Sequence, residues 1–285
     1  VRLEMKKLLF ACLLLIPATM LLAVYDDYQP SAIARGLGGA YTAVSRDANA
    51  IFYNPAGLVN TTLSAKLGFS QLYNQDFSEL KTVALGYKLP QKLGTVALGI
   101  RAMDVDYEDV NLMSEQVYSL AHSFYLLQDI HSQISFGYTG NFYLLSMDGE
   151  DDDTALGLDL GAMAVLHTRT RLAFAVTNIN KAKMGDENQI DLPSKLALGI
   201  SYIPYDKVTT SIEVKKDFAK ETEFMGGVEA HLFEPLAIRF GVHQNPATYN
   251  AGLSIYIRDL ELDYSYTYHS VLPGTHYFSL GYNFK

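Results

Sequence analysis

Tryptophan is absent from the 285 residues, and there is a single cysteine, Cys12. A lone thiol in an N-terminal apolar stretch leaves the mature chain without disulfides, a Cys metal site or thiol redox chemistry. Also missing is any internal run of about 20 apolar residues, so no membrane-crossing helix is expected, although 49 % of residues are hydrophobic. Clusters of basic residues are lacking too. Lys and Arg number 22, scattered among 31 Asp and Glu, for a net charge of −9; phosphate binding needs concentrated positive charge, so nucleic acid is excluded as a partner. What is plentiful is Tyr, with 20 residues, and Phe, with 14. That mixture suits strands that are apolar on one face only, and the length fits one all-β domain.

The N-terminus reads as an export signal. Lys6 and Lys7 form a basic start, and Leu8 to Ala23 an apolar stretch broken by Pro17, with Leu21 and Ala23 at the −3 and −1 positions of a cleavage site. Met5 is the expected initiator, with residues 1–4 upstream of it. Removing residues 1–23 leaves 19 basic and 30 acidic residues, a net charge of −11. Leu9-Phe10-Ala11-Cys12 has the outline of a lipidation site, but too few apolar residues precede Cys12.

From Ser64 onward apolar residues alternate with small or polar ones, the period-2 pattern of a strand with one lipid-facing side. Clear cases are Ile134, Phe136 and Tyr138; Leu156, Leu158 and Leu160; and Leu260, Leu262 and Tyr264. Fourteen such segments are expected, at 64–72, 80–89, 93–103, 116–126, 131–146, 155–167, 171–179, 195–204, 207–217, 222–232, 236–243, 248–258, 260–269 and 275–284. The fold class is therefore all-β: a transmembrane antiparallel β-barrel of about 14 strands, with a small N-terminal hatch. Short connections are expected after the even-numbered segments and mostly longer ones after the odd, which places both termini in the periplasm of a cell with an outer membrane. The organisation is then 1–23 signal peptide, 24–63 hatch and 64–285 barrel. A soluble sandwich or lipocalin-like barrel would also alternate. Against it stand the small polar inward positions, the export signal and the terminal Phe278-Leu280-Tyr282-Phe284, an ending suited to the barrel assembly machinery despite the final Lys285.

Chemistry is sparse. His122, His131, His167, His231, His243, His269 and His276 stand singly, without metal-ligand spacing. Asp148 and Glu150 to Asp153 form an acidic loop that lacks the spacing of a Ca²⁺ site. Ser119 lies near His122, but no nucleophile motif surrounds them, so neither enzyme activity, metal nor cofactor is expected. The inward faces carry both signs, at Lys66, Lys88, Arg101, Asp159, Arg171, Lys195, Glu213, Lys215, Glu229, Arg239, Glu261 and Asp263. In a narrow lumen such charges pair with each other or with a plug, which argues against an open diffusion pore. The inward Gly157 and Gly161 are expected to tolerate serine.

Residues 34–58 carry a distinctive motif: Arg35-Gly36-Leu37-Gly38-Gly39, then Asp47-Ala48-Asn49-Ala50, then Asn54-Pro55-Ala56-Gly57-Leu58. Glycines free the backbone, and Asn-Pro starts a turn, so a compact irregular segment is expected; a phosphate-binding glycine loop lacks its Lys-Ser/Thr. Phe52 and Tyr53 give it surface to bury, and Arg35, Arg46 and Asp47 are expected to find oppositely charged lumen partners. The order and spacing resemble the N-terminal region of the FadL/TodX-type outer-membrane transport barrels and, more closely, the PorV/PorQ-like family. The resemblance implies a hatch built on Arg35, Gly36, Gly38, Gly39, Asp47, Asn54, Pro55 and Gly57, folded into the barrel mouth. It implies passive transport of hydrophobic small molecules, or else an accessory role beside secretion-system or surface-attachment proteins; a purely structural barrel is the third reading. Ligand-contacting residues are not specified by the motif. The expected topology predicts that a tag within Asp148–Asp153 is reached by antibody on intact cells, whereas tags at Tyr205-Asp206 or Arg258-Asp259 are not; equal exposure would reverse the strand parity.

Overall fold

In a computed structural model the described residues are 29–108, 110–185 and 189–284. The expected signal peptide and its cleavage after Ala23 lie outside them. Sixteen strands follow a short N-terminal segment: β1 (Leu63–Gln71), β2 (Ser78–Lys88), β3 (Thr95–Tyr107), β4 (Val110–Gln128), β5 (Ser132–Met147), β6 (Asp153–Leu166), β7 (Thr170–Thr177), β8 (Lys183–Met184), β9 (Ile190–Asp191), β10 (Lys195–Tyr205), β11 (Val208–Asp217), β12 (Thr222–Phe233), β13 (Leu236–Gln244), β14 (Thr248–Ile257), β15 (Leu260–His269) and β16 (Thr275–Asn283). Fourteen of them form a closed antiparallel barrel in chain order, sealed where β1 pairs with β16, Leu67 opposite Leu280. Closure is what permits strands to cross lipid, because it leaves no backbone N–H or C=O edge unpaired in hydrocarbon. No helix among the described residues is long and apolar enough to cross.

The alternation sorts the two faces as the pattern requires. Outward side chains include Leu67, Leu98, Leu120, Phe142, Leu158, Phe174, Leu198, Ile212, Phe224, Phe240, Leu262 and Phe278, all exposed and apolar. Their inward neighbours are small, polar or charged and buried, among them Ser119, Thr139, Asp159, Ser211, Arg239 and Ser265. An apolar outside around a polar, filled inside is the inverse of a soluble barrel, and it sets the wall in a bilayer.

Two departures concern the connections. The expected alternation of short and long links fails at β3, which ends at Tyr107 only three positions before β4 begins at Val110. The strands β3 and β4 have 13 and 19 residues, so residues expected in a loop between them extend the strands instead. The other departure is the β8–β9 hairpin, inserted between β7 and β10, which pair directly with each other. Two-residue strands are too short to show a period in sequence.

The lipid face predicts position-dependent costs. Leu120→Arg, which places a cation on the bare outer wall, should cost about 2 to 4 kcal/mol if it lies near the bilayer midplane, while Leu126→Arg, near the end of β4, should cost roughly 1 kcal/mol or less. Heat-modifiable gel mobility of protein refolded into vesicles reads the difference; equal folding of both variants would contradict the burial of β4 in lipid.

Candidate functional site

The N-terminal segment folds inside the barrel as three short helical turns. Helix α1 (Ala32–Gly36) is capped by Ser31, whose side chain accepts from the Ala34 N–H. A 3₁₀ turn over Ala48–Phe52 is capped by Asp47, and a second over Pro55–Asn60 by Asn54. Each cap is the short polar residue that satisfies an otherwise orphaned N–H, which accounts for Asp47 and for Asn54-Pro55 in the motif. Gly38 and Gly39 turn the chain away from α1 with φ of 66° and 92°, where a side chain would strain the backbone.

The segment sits against the wall backbone to backbone, and glycine on both sides makes this possible. A Cβ on Gly241 would collide with the Gly38 nitrogen, and one on Gly227 would lie 2.6 Å from the Leu37 carbonyl oxygen. A second seat is the cross-strand pair Gly137 and Gly161, which receives Asn54-Pro55-Ala56. A Cβ on Gly137 would come within 2.5 Å of the Pro55 carbonyl carbon, and one on Gly161 would strike the Asn54 side-chain oxygen. The tolerance of serine expected at these inward glycines is therefore corrected. Gly161 faces the lumen but is filled by the hatch, and at Gly157 the added Cβ would meet the Tyr143 ring at 2.7 Å.

Ion pairs and hydrogen bonds reinforce the seats. Lys66, 1 % exposed, reaches Asp47 of the hatch at 3.4 Å and Glu261 of the wall at 2.5 Å. Beneath α1, Arg239 donates from Nε to Glu229 at 2.5 Å and from Nη1 to Ser254 at 2.6 Å, and Ser254 donates in turn to Asp263, 3.7 Å from Lys66. Glu213 accepts from both the backbone N–H and the hydroxyl of Thr42, each at 2.8 Å. Tyr41 packs edge-on against Tyr53 at 5.0 Å, and burial followed by the nearby Asp47 charge holds its phenol well above its ordinary pKa.

The sequence-derived candidates are thus distributed unevenly. Asp47 finds the expected opposite charge; Arg35 lies over the Tyr277 ring at 5.0 Å and donates from Nε to the Gln29 carbonyl at 3.4 Å. Arg46 has no carboxylate partner among the described residues; it is exposed and lines a recess with another cation, Arg171. Of the inward charges, Lys88 is exposed at the rim and Arg101 only half-buried, while the other ten are buried. Ser119 points inward and donates to Asn141, whereas His122 stacks on Phe124 outside, so the wall separates that pair.

Between the hatch and the loop end lies a small chamber of about 90 Å³, walled by Phe52, Tyr53, Arg101, Tyr143, Lys195 and Glu213 and bounded on the loop side by Pro193. Beyond it the lumen becomes apolar. Met184 and Leu192, from the hairpin region, are buried against Val117, Tyr143, Leu145 and Ala155, with Met113 and Met147 alongside. Sequence reading missed this cluster because Val117, Leu145 and Ala155 are apolar at inward positions, against the prevailing pattern.

Beside this cluster the wall changes character. The β6–β7 ladder runs only from Leu160–Val176 down to Leu166–Thr170, so the outer part of β6 has no strand on that side. Instead Asn180 accepts from the Leu158 N–H at 2.9 Å and donates to the Leu156 carbonyl at 2.8 Å, and the Ile179 N–H donates to the Leu158 carbonyl at 2.8 Å. A loop and one amide side chain stand where a strand would be.

Neither a protein-family model nor a curated protein matches the sequence. Solved structures do match in shape. The CymD monoaromatic hydrocarbon channel superposes with a TM-score of 0.62 at 13 % identity, covering 92 % of this chain and 98 % of that one. A Pseudomonas aeruginosa FadL homologue gives 0.58 at 11 %, with 90 % and 98 % covered, and the Pseudomonas putida toluene transporter TodX 0.57 at 11 %, with 89 % and 98 %. The chain therefore has the FadL/TodX-type barrel fold.

The docking glycines predict a coupled effect. Gly241→Val should destabilise the protein by about 1 to 3 kcal/mol through overpacking, and should expose the hatch to added protease. In a variant lacking residues 32–60 the same substitution should be silent in thermal melts. A penalty of equal size with and without the hatch would place its cause in the wall itself.

Proposed function

We propose that this chain is an outer-membrane channel that passes small hydrophobic molecules passively, entering at the apolar loop end and leaving sideways through the wall. The observation that carries this reading is the break in the β6–β7 ladder, closed by Asn180 and not by a strand. It lies beside a buried apolar cluster inside the lumen, a surface that would be polar in a water-filled pore. Straight passage is obstructed by a hatch docked on the wall through Gly241, Gly137 and Gly161. An apolar solute loses little by moving from that cluster into lipid, so a lateral exit needs only the parting of a few hydrogen bonds, each about 0.5 to 1.5 kcal/mol net. The fold shared with channels named for monoaromatic hydrocarbons and toluene supports the same chemistry. In this reading residues 1–23 are a cleaved signal, both termini are periplasmic, and Arg35, Gly36, Gly38, Gly39, Asp47, Asn54, Pro55 and Gly57 form the plug.

A second reading, nearer the PorV/PorQ-like resemblance, makes the barrel a surface accessory to secretion; the filled lumen favours it, since such a role needs no open path. Uptake of radiolabelled toluene and of a long-chain fatty acid separates the two. Cells expressing the chain should take up at least one faster than cells carrying an empty vector. Asn180→Ala, which loosens the wall break, should keep or raise that rate. No gain with either probe, together with secreted cargo co-purifying with the barrel, would overturn the channel in favour of the accessory.

A further inference from the structure

At the opposite end from the apolar cluster, where the β4–β5 and β6–β7 turns meet the hatch, lies a recess of about 160 Å³. Its cations come from two different parts of the chain: Arg46 from the hatch and Arg171 from β7. Arg171 is 5 % exposed, and its Nη1 is buried without a hydrogen-bond partner among the described residues. Its register neighbours are Val165 and Ser201, neither charged, and the Ser201 hydroxyl already donates to the Ala43 carbonyl. The charges it senses are those of Arg46 and Glu229, and Glu229 is engaged by Arg239 at 2.5 Å and lies 3.4 Å from His231. Among the described residues no carboxylate lines the recess; Asn60, Gln133 and Thr168 supply amides and a hydroxyl instead.

Two like charges brought together, one of them buried with an idle donor, is an arrangement that water alone compensates poorly. The guanidinium fork matches the oxygens of a carboxylate or phosphate, and each charge-assisted bond is stronger than a neutral one. The volume suffices for a tetrahedral oxyanion with some of its water, at roughly 30 Å³ per water displaced. We propose that this recess binds an oxyanion, a phosphate or carboxylate group, held between Arg46 of the hatch and Arg171 of the wall. Such an ion would tie the hatch to β7 at the turn end.

Inorganic phosphate is the probe, titrated calorimetrically into the purified full chain in a lipid-free, phosphate-free alkyl-glycoside detergent. Saturable binding is expected, weakened about tenfold or more by Arg46→Gln and by Arg171→Gln, since each removes a charge-assisted hydrogen bond. Arg46 is exposed, so its variant should fold, as heat-modifiable mobility will report, even if loss of Arg171 impairs assembly. Repeating the titration in phosphatidylglycerol vesicles identifies the source: unchanged binding means a free ion, and silence there alone means that lipid headgroups already occupy the site. No saturable binding in the lipid-free protein, or equal affinity in wild type and Arg46→Gln, would overturn the proposal.

Discussion

The close approach of hatch backbone to wall backbone is the contact on which the interior depends. At Gly227, Gly241, Gly137 and Gly161 the wall offers no side chain, and the hatch fills the space with its main chain and, at Gly161, with the Asn54 side chain. Main-chain packing at this distance fixes the path of the hatch, because interiors at near-crystalline density leave no room for an alternative placement. The polar contacts then fall into reach: Thr42 onto Glu213, Asp47 onto Lys66, and Asn54 onto the Ala162 carbonyl. Without those seats the hatch caps would have no fixed partners.

Buried charge in this lumen is arranged as a chain and not as isolated pairs. Glu229, Arg239, Ser254, Asp263, Lys66 and Asp47 run from the wall to the hatch, each touching the next. Removing one member would strand a neighbour in a place with little water, at a cost of several kcal/mol. The chain therefore specifies position more than it adds stability. It engages Glu229 and Asp263, with Glu261 also on Lys66, on one side of the lumen, whereas Arg171 and Arg46 on the other have no carboxylate partner among the described residues.

The wall shows how a barrel can be closed yet locally weak. All fourteen strand junctions are ladders, but β6 runs past its ladder with β7, and that outer part is held by Asn180 and a loop N–H. Side-chain amides satisfy the same backbone groups as a strand does, so lipid exposure is tolerated. They bring less cooperativity, since each bond can open without unzipping a register. The apolar cluster around Met184 and Leu192 adjoins this interval, so weak closure and apolar lining coincide.

The barrel was legible in the sequence because period-2 alternation is a local property. Leu156, Leu158 and Leu160 declare their face without knowledge of their neighbours, and fourteen such runs imply closure. The motif glycines were legible as a backbone requirement, and Asp47 and Asn54 as turn-forming residues. What filled the lumen was not. Gly161 and Gly241 look like open inward positions until Asn54 and Gly38 are found in them, and Arg46 looks like half of an ion pair until it is placed beside Arg171. The β8–β9 hairpin is too short to have a period, and its Met184 is buried only because Val117 and Leu145, some 67 and 39 residues away along the chain, face it across the lumen. Sequence by itself determined which way each strand residue points, since that depends on parity along one strand. Only the tertiary structure decided what each inward residue meets, since that depends on which distant segment the closed wall brings opposite it.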